Sequence, residues 1–181
     1  MKNYKIGIAG IGGIGSNIAM HLARCNYLNF KIVDFDKVEK SNLNRQFYFL
    51  SQLAMPKVKA LLENLKDINA SADKIEYACI KLDEKIILEI FRDCDIVIDG
   101  FDKAENKAML INSFCNSGKY IISACGVAGA DLENIRIEKL NDRIFIVGDM
   151  QTDCQRAKLY SFKVMCVASI MTKIIFDILK N

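Results

Sequence analysis

Short apolar runs alternate with segments of helical periodicity along most of the 181 residues. The runs predict five buried strands of a parallel sheet, at Tyr4–Ala9, Phe30–Val33, Ile75–Ile80, Ile96–Ile98 and Tyr120–Ala124. Helices are predicted from a glycine-rich turn through Cys25, from Pro56 to about Asp67, over Glu84–Phe91 with Ile87, Leu88 and Phe91 facing inward, and over Ala104–Phe114. Strands that alternate with helices predict an α/β fold, a Rossmann-like doubly wound sheet.

The last third of the chain departs from this alternation. Ile135–Glu138 and Arg143–Val147, on either side of Asn141, predict a hairpin added antiparallel to the mainly parallel sheet. A C-terminal helix, Val164–Leu179, carries a core-facing apolar stripe that is broad enough to include a dimer contact. The polar segment before it, Gly148–Tyr160, predicts a mobile loop. Without an internal repeat or a linker, the whole chain, 1–181, is expected to be one domain.

Charge and hydropathy exclude several classes of protein. The formal net charge is only +3, from 25 basic and 22 acidic residues, and there is no polybasic run, so no nucleic-acid surface is expected. The C-terminal stripe is interrupted by Lys173 and Asp177 and is shorter than the roughly 20 residues that span a bilayer, so no membrane anchor is expected. The N-terminal residues lack the features of a signal peptide, which predicts a cytoplasmic protein.

Seven cysteines are scattered along the chain without a Cys-x-x-Cys pair. This spacing predicts neither a structural zinc site nor a disulfide framework, and most of the cysteines are expected to be small core residues. Cys154 differs because it lies in the polar loop, where Arg156 and Lys158 would favour its thiolate. An unreactive free thiol is the alternative for Cys154. The only histidine, His21, falls within the first predicted helix and is expected to be structural.

A glycine-rich turn between the first strand and the first helix comprises Gly10, Gly12, Gly13, Gly15 and Ser16. These glycines let backbone N–H groups approach a ligand and let the helix pack closely on the strand. Phosphates are expected at the helix N-terminus, where free N–H groups and the helix dipole favour anions. Asp34 ends the second strand about twenty residues later, where its carboxylate would accept hydrogen bonds from ribose hydroxyls. NAD and ATP fit this unit equally well.

A polar stretch after the second strand favours one of these two nucleotides. It contains Asp36, Asn42, Asn44 and Arg45. The planar guanidinium of Arg45 suits phosphate oxygens, and the two asparagines add neutral donors. Because a dinucleotide site has no general need of such a cluster, the stretch favours a triphosphate.

Two further residues are ambiguous by position alone. Lys57 follows Pro56 on the first turn of a predicted helix, where a lysine is most often solvated. Asp102 lies three residues beyond the fourth predicted strand, where an aspartate is most often the N-cap of the next helix. Position alone therefore assigns neither residue to a ligand.

The motifs, taken together with their spacing, resemble those of the ThiF/MoeB/HesA family of adenylyltransferases, relatives of ubiquitin-activating enzymes. The matching residues are Gly10-x-Gly12-Gly13-x-Gly15-Ser16, Asp34-x-Asp36-x-Val38-x-x-Ser41-Asn42-Leu43-Asn44-Arg45-Gln46, Pro56-Lys57, Ile98-Asp99-Gly100-Phe101-Asp102 and Ala124-Cys125-Gly126-Val127-Ala128-Gly129. The resemblance extends over roughly the first 150 residues and is strongest to the short ThiF-type members.

This resemblance implies ATP-dependent adenylation of the C-terminal carboxylate of a small ubiquitin-like sulfur carrier of the ThiS type. The products would be an acyl-adenylate and pyrophosphate, in the synthesis of the thiamine thiazole. The resemblance also implies a homodimer and a Mg²⁺ ion held by Asp102. It implies that Lys57 and Arg45 act on the phosphates of the nucleotide, and that the nucleotide-binding residues include Ser16, Asp34, Asp36 and Asn42.

Two departures from the family pattern leave other functions open. Only Met1-Lys2-Asn3 precede the first strand, whereas several family members have an arginine there that reaches the ATP of the partner subunit. Lys163 stands where short ThiF-type members tend to have arginine, and it retains the charge without the guanidinium fork. One alternative is therefore a carrier-binding module with impaired catalysis, and a more distant one is an NAD-dependent oxidoreductase.

Overall fold

The computed structural model of the protein describes residues 1–153 and 156–180. In chain order, the strands and α-helices of these residues are β1 (Ile6–Ala9), α1 (Gly13–Arg24), β2 (Phe30–Val33), α2 (Lys57–Ile68), β3 (Glu76–Ala78), α3 (Glu84–Ile90), β4 (Ile96–Asp99), α4 (Ala104–Phe114), β5 (Tyr120–Ala124), β6 (Arg136–Asn141), β7 (Ile144–Gly148) and α5 (Ser161–Lys180). The alternation of strands and helices predicted from the apolar pattern is confirmed.

The strands form one sheet in the order β3-β2-β1-β4-β5-β7-β6. Every neighbouring pair in this described sheet is parallel except β6 and β7. The predicted hairpin is present, but its attachment differs from the prediction because β7 joins β5 in parallel. The chain winds away from β1 in both directions, to β2 on one side and to β4 on the other. In doubly wound sheets, ligands bind at the carboxyl edge of such a switch point.

The register brings the carboxyl ends of the central strands to the same level. Ala9 at the end of β1 is opposite Val33 of β2 and Asp99 of β4, and Asp99 is opposite Ser123 of β5. The residues that follow these strands therefore gather along one edge of the sheet.

Helices cover both faces of the sheet and enclose two separate hydrophobic cores. In β4, Ile96 and Ile98 face the core formed with α1, α2 and α5, whereas Val97 faces the core formed with α3 and α4. This alternation follows from the two-residue period of a strand, which sends successive side chains to opposite faces. Strands buried on both faces need continuous apolar runs, which is the pattern seen in the sequence.

Some details of the elements differ from the sequence-based predictions. In α3, Ile87 is fully buried and Phe91 just beyond the helix is also buried, but Leu88 is 48% exposed, so its predicted inward position is wrong. A helix turns by about 100° per residue, so a short helix that buries Ile87 directs the next side chain away from the sheet. The strand β3 is shorter than predicted, and it lies at the sheet edge with β2 as its partner.

The apolar stripe predicted in the C-terminal helix is buried along α5. Its members are Val164, Val167, Ala168, Met171, Ile174, Ile175 and Ile178. Within the described parts of the chain, no helix combines the length and the apolar character needed to cross a membrane.

The expectation that most cysteines are core residues is wrong. Among the cysteines that the structure describes, Cys94 is buried and Cys166 is intermediate, while the others are exposed: Cys25, Cys79, Cys115 and Cys125. The exposed ones directly follow α1, β3, α4 and β5, where the chain leaves the packed layers. Apolar sequence neighbours therefore did not indicate burial, because each of these cysteines lies just past the end of a buried element.

Candidate functional site

A cavity of about 660 Å³ opens at the carboxyl edge of the sheet around the switch point at β1. Within the part of the chain that the structure describes, residues from six separate connections line it, so motifs that are far apart in the sequence meet in one concave site. Eight residues predicted to bind a ligand are in the lining: Gly10, Gly12, Gly13, Asp34, Asp36, Arg45, Lys57 and Asp102.

The glycine turn between β1 and α1 is held rigidly against the sheet. The backbone of Gly10 has φ +83°, and a Cβ atom on Gly15 would lie 2.0 Å from the Gly10 carbonyl oxygen. The N–H of Ile11 donates to Asp34 Oδ2 at 2.9 Å, and its carbonyl accepts the Tyr48 hydroxyl at 2.7 Å. Since α1 has neither a side-chain cap nor an acidic first turn, its first N–H groups can receive an anion.

Asp34 connects the end of β2 to this turn. Its second carboxylate oxygen accepts the N–H of Asp36 at 2.8 Å. Burial raises the pKa of Asp34, and the nearby Lys57 ammonium and the two backbone N–H donors only partly oppose this effect. An ionised carboxylate has about four acceptor positions, so these two hydrogen bonds leave capacity for ribose hydroxyls.

Lys57 is buried in the wall of the pocket, at the N-terminus of α2. Only 6% of the residue is exposed, and its ammonium lies 3.0 Å from Asp36 Oδ2. The backbone N–H of Lys57 also donates to the Asp36 carbonyl at 2.9 Å. The interpretation of Lys57 as a solvated helix lysine is therefore wrong.

Arg45 is fixed by its own segment of chain. Its Nη1 donates to the Ser41 carbonyl at 3.0 Å and to Asn44 Oδ1 at 2.8 Å. The side-chain amide of Asn17 donates to the carbonyls of Gly13 and Arg45, which ties this segment to the first turn of α1. A guanidinium has five N–H donors, so three remain after these two hydrogen bonds. The arrangement is suited to a phosphate group.

The turn after β4 presents Asp102 to the pocket. Asp99, fully buried at the end of β4, accepts hydrogen bonds from the Phe101 N–H at 3.0 Å, from Lys107 Nζ at 3.3 Å and from the Ser123 hydroxyl. These bonds occupy the Asp99 carboxylate and fix the turn that follows it. Asp102 is exposed, and because Lys103 occupies the N-cap of α4, the interpretation of Asp102 as the helix cap is wrong.

The donor set of the site determines what kind of metal ion fits. The described residues contain no cluster of three or more histidine, cysteine, aspartate or glutamate side chains suited to a metal. Mg²⁺ commonly takes only one or two protein carboxylates, and the phosphates of a substrate supply further oxygens. The single carboxylate of Asp102 therefore fits a Mg²⁺ ion that is carried by a nucleotide.

Three residues predicted to bind the nucleotide lie outside the pocket lining. Gly15 packs against the Gly10 carbonyl, and the buried Ser16 hydroxyl donates to the Gly12 carbonyl at 2.6 Å and accepts the Phe47 N–H at 3.0 Å. Asn42 is 8% exposed, and its Oδ1 accepts the Glu39 N–H at 3.1 Å. These contacts shape the site, and direct binding of nucleotide by these residues stays a prediction. Cys154, the predicted loop nucleophile, lies outside the described residues.

A buried ion pair that the sequence patterns did not predict lies beside the pocket. Lys163, fully buried on the first turn of α5, donates to Asp149 Oδ2 at 2.6 Å and to the Ala128 carbonyl at 2.7 Å. Burial alone would raise the pKa of Asp149, but hydrogen bonds from Lys163 and from the 151–152 segment hold it well below its usual range. The available signal was an aspartate directly after a buried strand and a lysine within an apolar helix.

Comparison with known proteins agrees with the motifs. The model of the ThiF family matches residues 1–179. A molybdopterin-synthase adenylyltransferase from Haemophilus influenzae is 38% identical over 120 residues, which are 66% of this chain and 49% of that protein. Ubiquitin-like modifier-activating enzyme 5 from Gallus gallus is 30% identical over 140 residues, which are 71% of this chain and 35% of that protein. The chain thus spans about half or less of the length of these relatives.

Solved structures share the same architecture. The E. coli tRNA N6-threonylcarbamoyladenosine dehydratase TcdA, solved in complex with ATP, has a TM-score of 0.83 to this chain at 19% identity, with 96% of this chain and 86% of that chain covered. At this level of identity the likeness concerns the fold, and it confirms the Rossmann-like, mainly parallel sheet.

Proposed function

The chain belongs to the ThiF family, and on that premise we propose that it is an adenylyltransferase that uses ATP to activate a carboxylate at the pocket. One observation carries the proposal. A single cavity combines a glycine turn at a helix N-terminus with the carboxylates of Asp34 and Asp102 and the cations of Arg45 and Lys57. The glycine turn and the two cations suit the phosphates of a nucleoside triphosphate. Asp34 suits its ribose, and Asp102 suits the metal ion that it carries.

In the proposed reaction, a carboxylate oxygen of the acceptor attacks the α-phosphorus of ATP. A new O–P bond forms, the bond from the α-phosphorus to the bridging oxygen breaks, and pyrophosphate leaves with the electron pair. No group of the protein needs to form a covalent bond. Catalysis then depends on positioning and on stabilising the charge that develops on the phosphates.

Contacts within the protein hold the groups for these tasks in place. The glycine turn would seat the phosphates, and Asp34 would accept the ribose hydroxyls. Asp36 holds the Lys57 ammonium in the pocket wall, and the hydrogen bonds of Nη1 hold Arg45. Preorganised cations stabilise charge without the cost of reorientation during the reaction. Asp102 would hold Mg²⁺, which supplies further positive charge to the phosphates when bound.

The acceptor proposed for this site is the C-terminal carboxylate of a ubiquitin-like carrier protein of the ThiS type. This assignment follows from the family motifs and from relatives that include a ubiquitin-like modifier-activating enzyme. We further propose that the reaction serves thiamine thiazole synthesis and that the chain works as a homodimer. These finer assignments rest on the resemblance to short ThiF-type proteins.

Exchange of labelled pyrophosphate into ATP tests the proposal directly. The assay contains Mg²⁺ and a ThiS-like carrier that ends in Gly-Gly, and it compares the wild-type chain with Asp102→Ala. We expect exchange to require the carrier and to fall by about 10²-fold or more in the variant, as for other charge-stabilising groups. Asp67→Ala, at an exposed position of α2 outside the pocket lining, is the matched control and should exchange normally.

Other outcomes would identify a different function. Carrier binding without any exchange would replace the enzyme with a carrier-binding module. Tighter binding of NAD(H) than of ATP, measured by isothermal titration, would instead indicate a nicotinamide-dependent oxidoreductase.

A further inference from the structure

The buried Asp149–Lys163 pair joins three segments at one side of the pocket. Lys163 belongs to α5, Asp149 directly follows β7, and Ala128, whose carbonyl also accepts from Lys163, lies in the connection after β5. Lys163 is fully buried and Asp149 is 4% exposed. Solvent therefore does not screen the pair, and loss of one partner would leave an uncompensated charge in the interior.

Asp149 also organises the chain that follows it. Its Oδ1 accepts the N–H groups of Gln151 and Thr152 at 2.8 Å each, and the Thr152 hydroxyl donates to Oδ2 at 2.9 Å. Thr152 belongs to the lining of the pocket. The carboxylate thus fixes the beginning of the 149–153 segment at the rim of the site.

The backbone around the pair is packed too closely for side chains. A Cβ atom on Gly126 would lie 1.9 Å from Asp149 Oδ1, and one on Gly148 would lie 1.8 Å from the Cys125 carbonyl oxygen. Gly126 and Cys125 both line the pocket. A shift of Asp149 would therefore move this wall of the pocket.

This wall lies away from the part of the site assigned to the ribose. Three strand spacings separate β2, which carries Asp34 at its end, from β5, which precedes Gly126. At about 4.8 Å for each spacing, the two walls are roughly 14 Å apart. If the ribose lies at Asp34, as the proposed function requires, the β5 wall is available to the acceptor.

We infer that the Asp149–Lys163 pair positions the acceptor-binding wall of the pocket, which is lined by residues 124–127 and by Thr152. Lys163 and Asp149 are positioning residues, because they act through Thr152 and Gly126 without reaching the reacting atoms. This inference rests on the proposed function for the identity of the acceptor, a carrier-protein C-terminus. The arrangement of the wall itself follows from the contacts alone.

The test compares four variants of the full chain with wild type. Lys163→Met removes the cation and retains most of the side-chain volume. The double variant Asp149→Asn, Lys163→Met removes both charges and leaves no unpaired ion, so it remains informative if the single variant does not fold. Lys163→Arg restores a cation. Lys173→Met, on the same helix, removes an exposed ion pair with Asp177 and is the matched control.

The first measurement is hydrogen–deuterium exchange of the peptide that covers 149–153, with a β1–α1 peptide as the internal reference. The second is steady-state pyrophosphate exchange with carrier and ATP varied separately. In the double variant we expect exchange of the 149–153 amides about 10-fold faster and KM for carrier about 10-fold higher, with KM for ATP within about 2-fold of wild type, as loss of a charge-assisted hydrogen bond predicts. Lys163→Arg should recover part of the KM effect, and Lys173→Met should match wild type.

Unchanged amide exchange in the double variant would overturn the inference, as would equal increases of KM for ATP and for carrier. Absence of pyrophosphate exchange by the wild-type chain would be a failure of the proposed function. In that case the hydrogen–deuterium exchange of 149–153 would still decide whether the pair holds the wall.

Discussion

Two buried lysines beside the pocket are balanced by carboxylates of different accessibility. Lys57 pairs with Asp36, whose side chain is 49% exposed, whereas Lys163 pairs with Asp149, whose side chain is 5% exposed. An incoming phosphate can compete for the Lys57 ammonium because water can solvate the released Asp36. A ligand cannot displace Asp149 from the Lys163 ammonium in the same way, because both side chains are buried and water would not solvate the released carboxylate. This difference in surroundings is the reason for the proposal that Lys57 acts on a ligand and that Lys163 positions the wall of the pocket.

At the residue scale, Lys57→Met should separate ligand binding from stability. The methionine keeps the apolar part of the side chain in the wall, and the Asp36 left behind is partly solvated. We expect weaker ATP binding and a pyrophosphate-exchange rate lower by about 10²-fold, with folding retained. Isothermal titration and exchange assays measure the two effects.

Lys59→Met is the matched control, because Lys59 is exposed on the same helix. Equal loss of ATP affinity in the two variants would show that the charge of Lys57 acts only at long range. Its placement in the phosphate site would then be wrong.

At the element scale, two glycines in the connection between β1 and α1 differ in how closely the protein packs around them. Gly15 packs so closely on the Gly10 carbonyl that no side chain fits, and this contact fixes α1 on the sheet. At Gly12, by contrast, a Cβ atom would make an ordinary 3.6 Å contact with Gln46 Nε2, and φ is −77°. The space around Gly12 therefore does not exclude a side chain, and we propose that a ligand approaches the backbone at this position.

Substitution by alanine should affect mainly stability at Gly15 and mainly ATP binding at Gly12. We expect Gly15→Ala to lower the free energy of unfolding by about 1–3 kcal/mol or more, because the methyl group would overlap backbone atoms. Gly12→Ala should lower the free energy of unfolding less than Gly15→Ala, because its methyl group meets no backbone atom, but it should weaken ATP binding because the methyl group would occupy the approach of the phosphates. Urea unfolding and ATP titration of both variants provide the measurements. A Gly12→Ala chain that binds ATP like wild type would contradict the placement of the phosphates.

At the scale of the whole molecule, ion pairs connect separate elements of the fold. The Asp149–Lys163 pair connects the end of β7 to α5, and at the opposite end of the sheet Lys5 and Lys31 share the carboxylates of Glu76 and Asp93. The carboxylates of the second group are half exposed, so solvent screens them and their contribution to stability is small. The buried pair is the one expected to affect the stability of the entire fold.

The pH dependence of unfolding should reveal this contribution. The pKa of Asp149 lies below its usual range in the folded protein, so its contribution is complete above the unfolded value of about 4 and is lost as the pH falls below it. Between pH 7 and pH 3, we expect wild type to lose about 1 kcal/mol more unfolding free energy than Asp149→Asn, Lys163→Met, because an unfolded carboxyl with a pKa of about 4 takes up its proton over this range. Urea denaturation at each pH measures the difference, and Asp67→Asn serves as the control. Parallel pH profiles for wild type and the double variant would refute the prediction.

The layers of the fold and most of the pocket could be predicted from the amino-acid sequence. Apolar runs, glycine spacing and the residues after each strand depend on local rules of backbone geometry and burial, so they predicted the strands, most helices and eight lining residues. The position of the pocket at the carboxyl edge of the sheet could be predicted as well, because parallel strands bring their carboxyl ends to one edge.

The burial of the charged side chains and the exposure of most cysteines became visible only in the folded structure. The burial of Lys57 and the pairing of Asp149 with Lys163 depend on contacts between segments that folding brings together. The residues next to these side chains in the sequence do not indicate such partners. The parallel attachment of β7 to β5 is likewise a choice among neighbours in space. Local sequence limits the conformation of each segment, but the electrostatic environment of a side chain is set by every element packed around it.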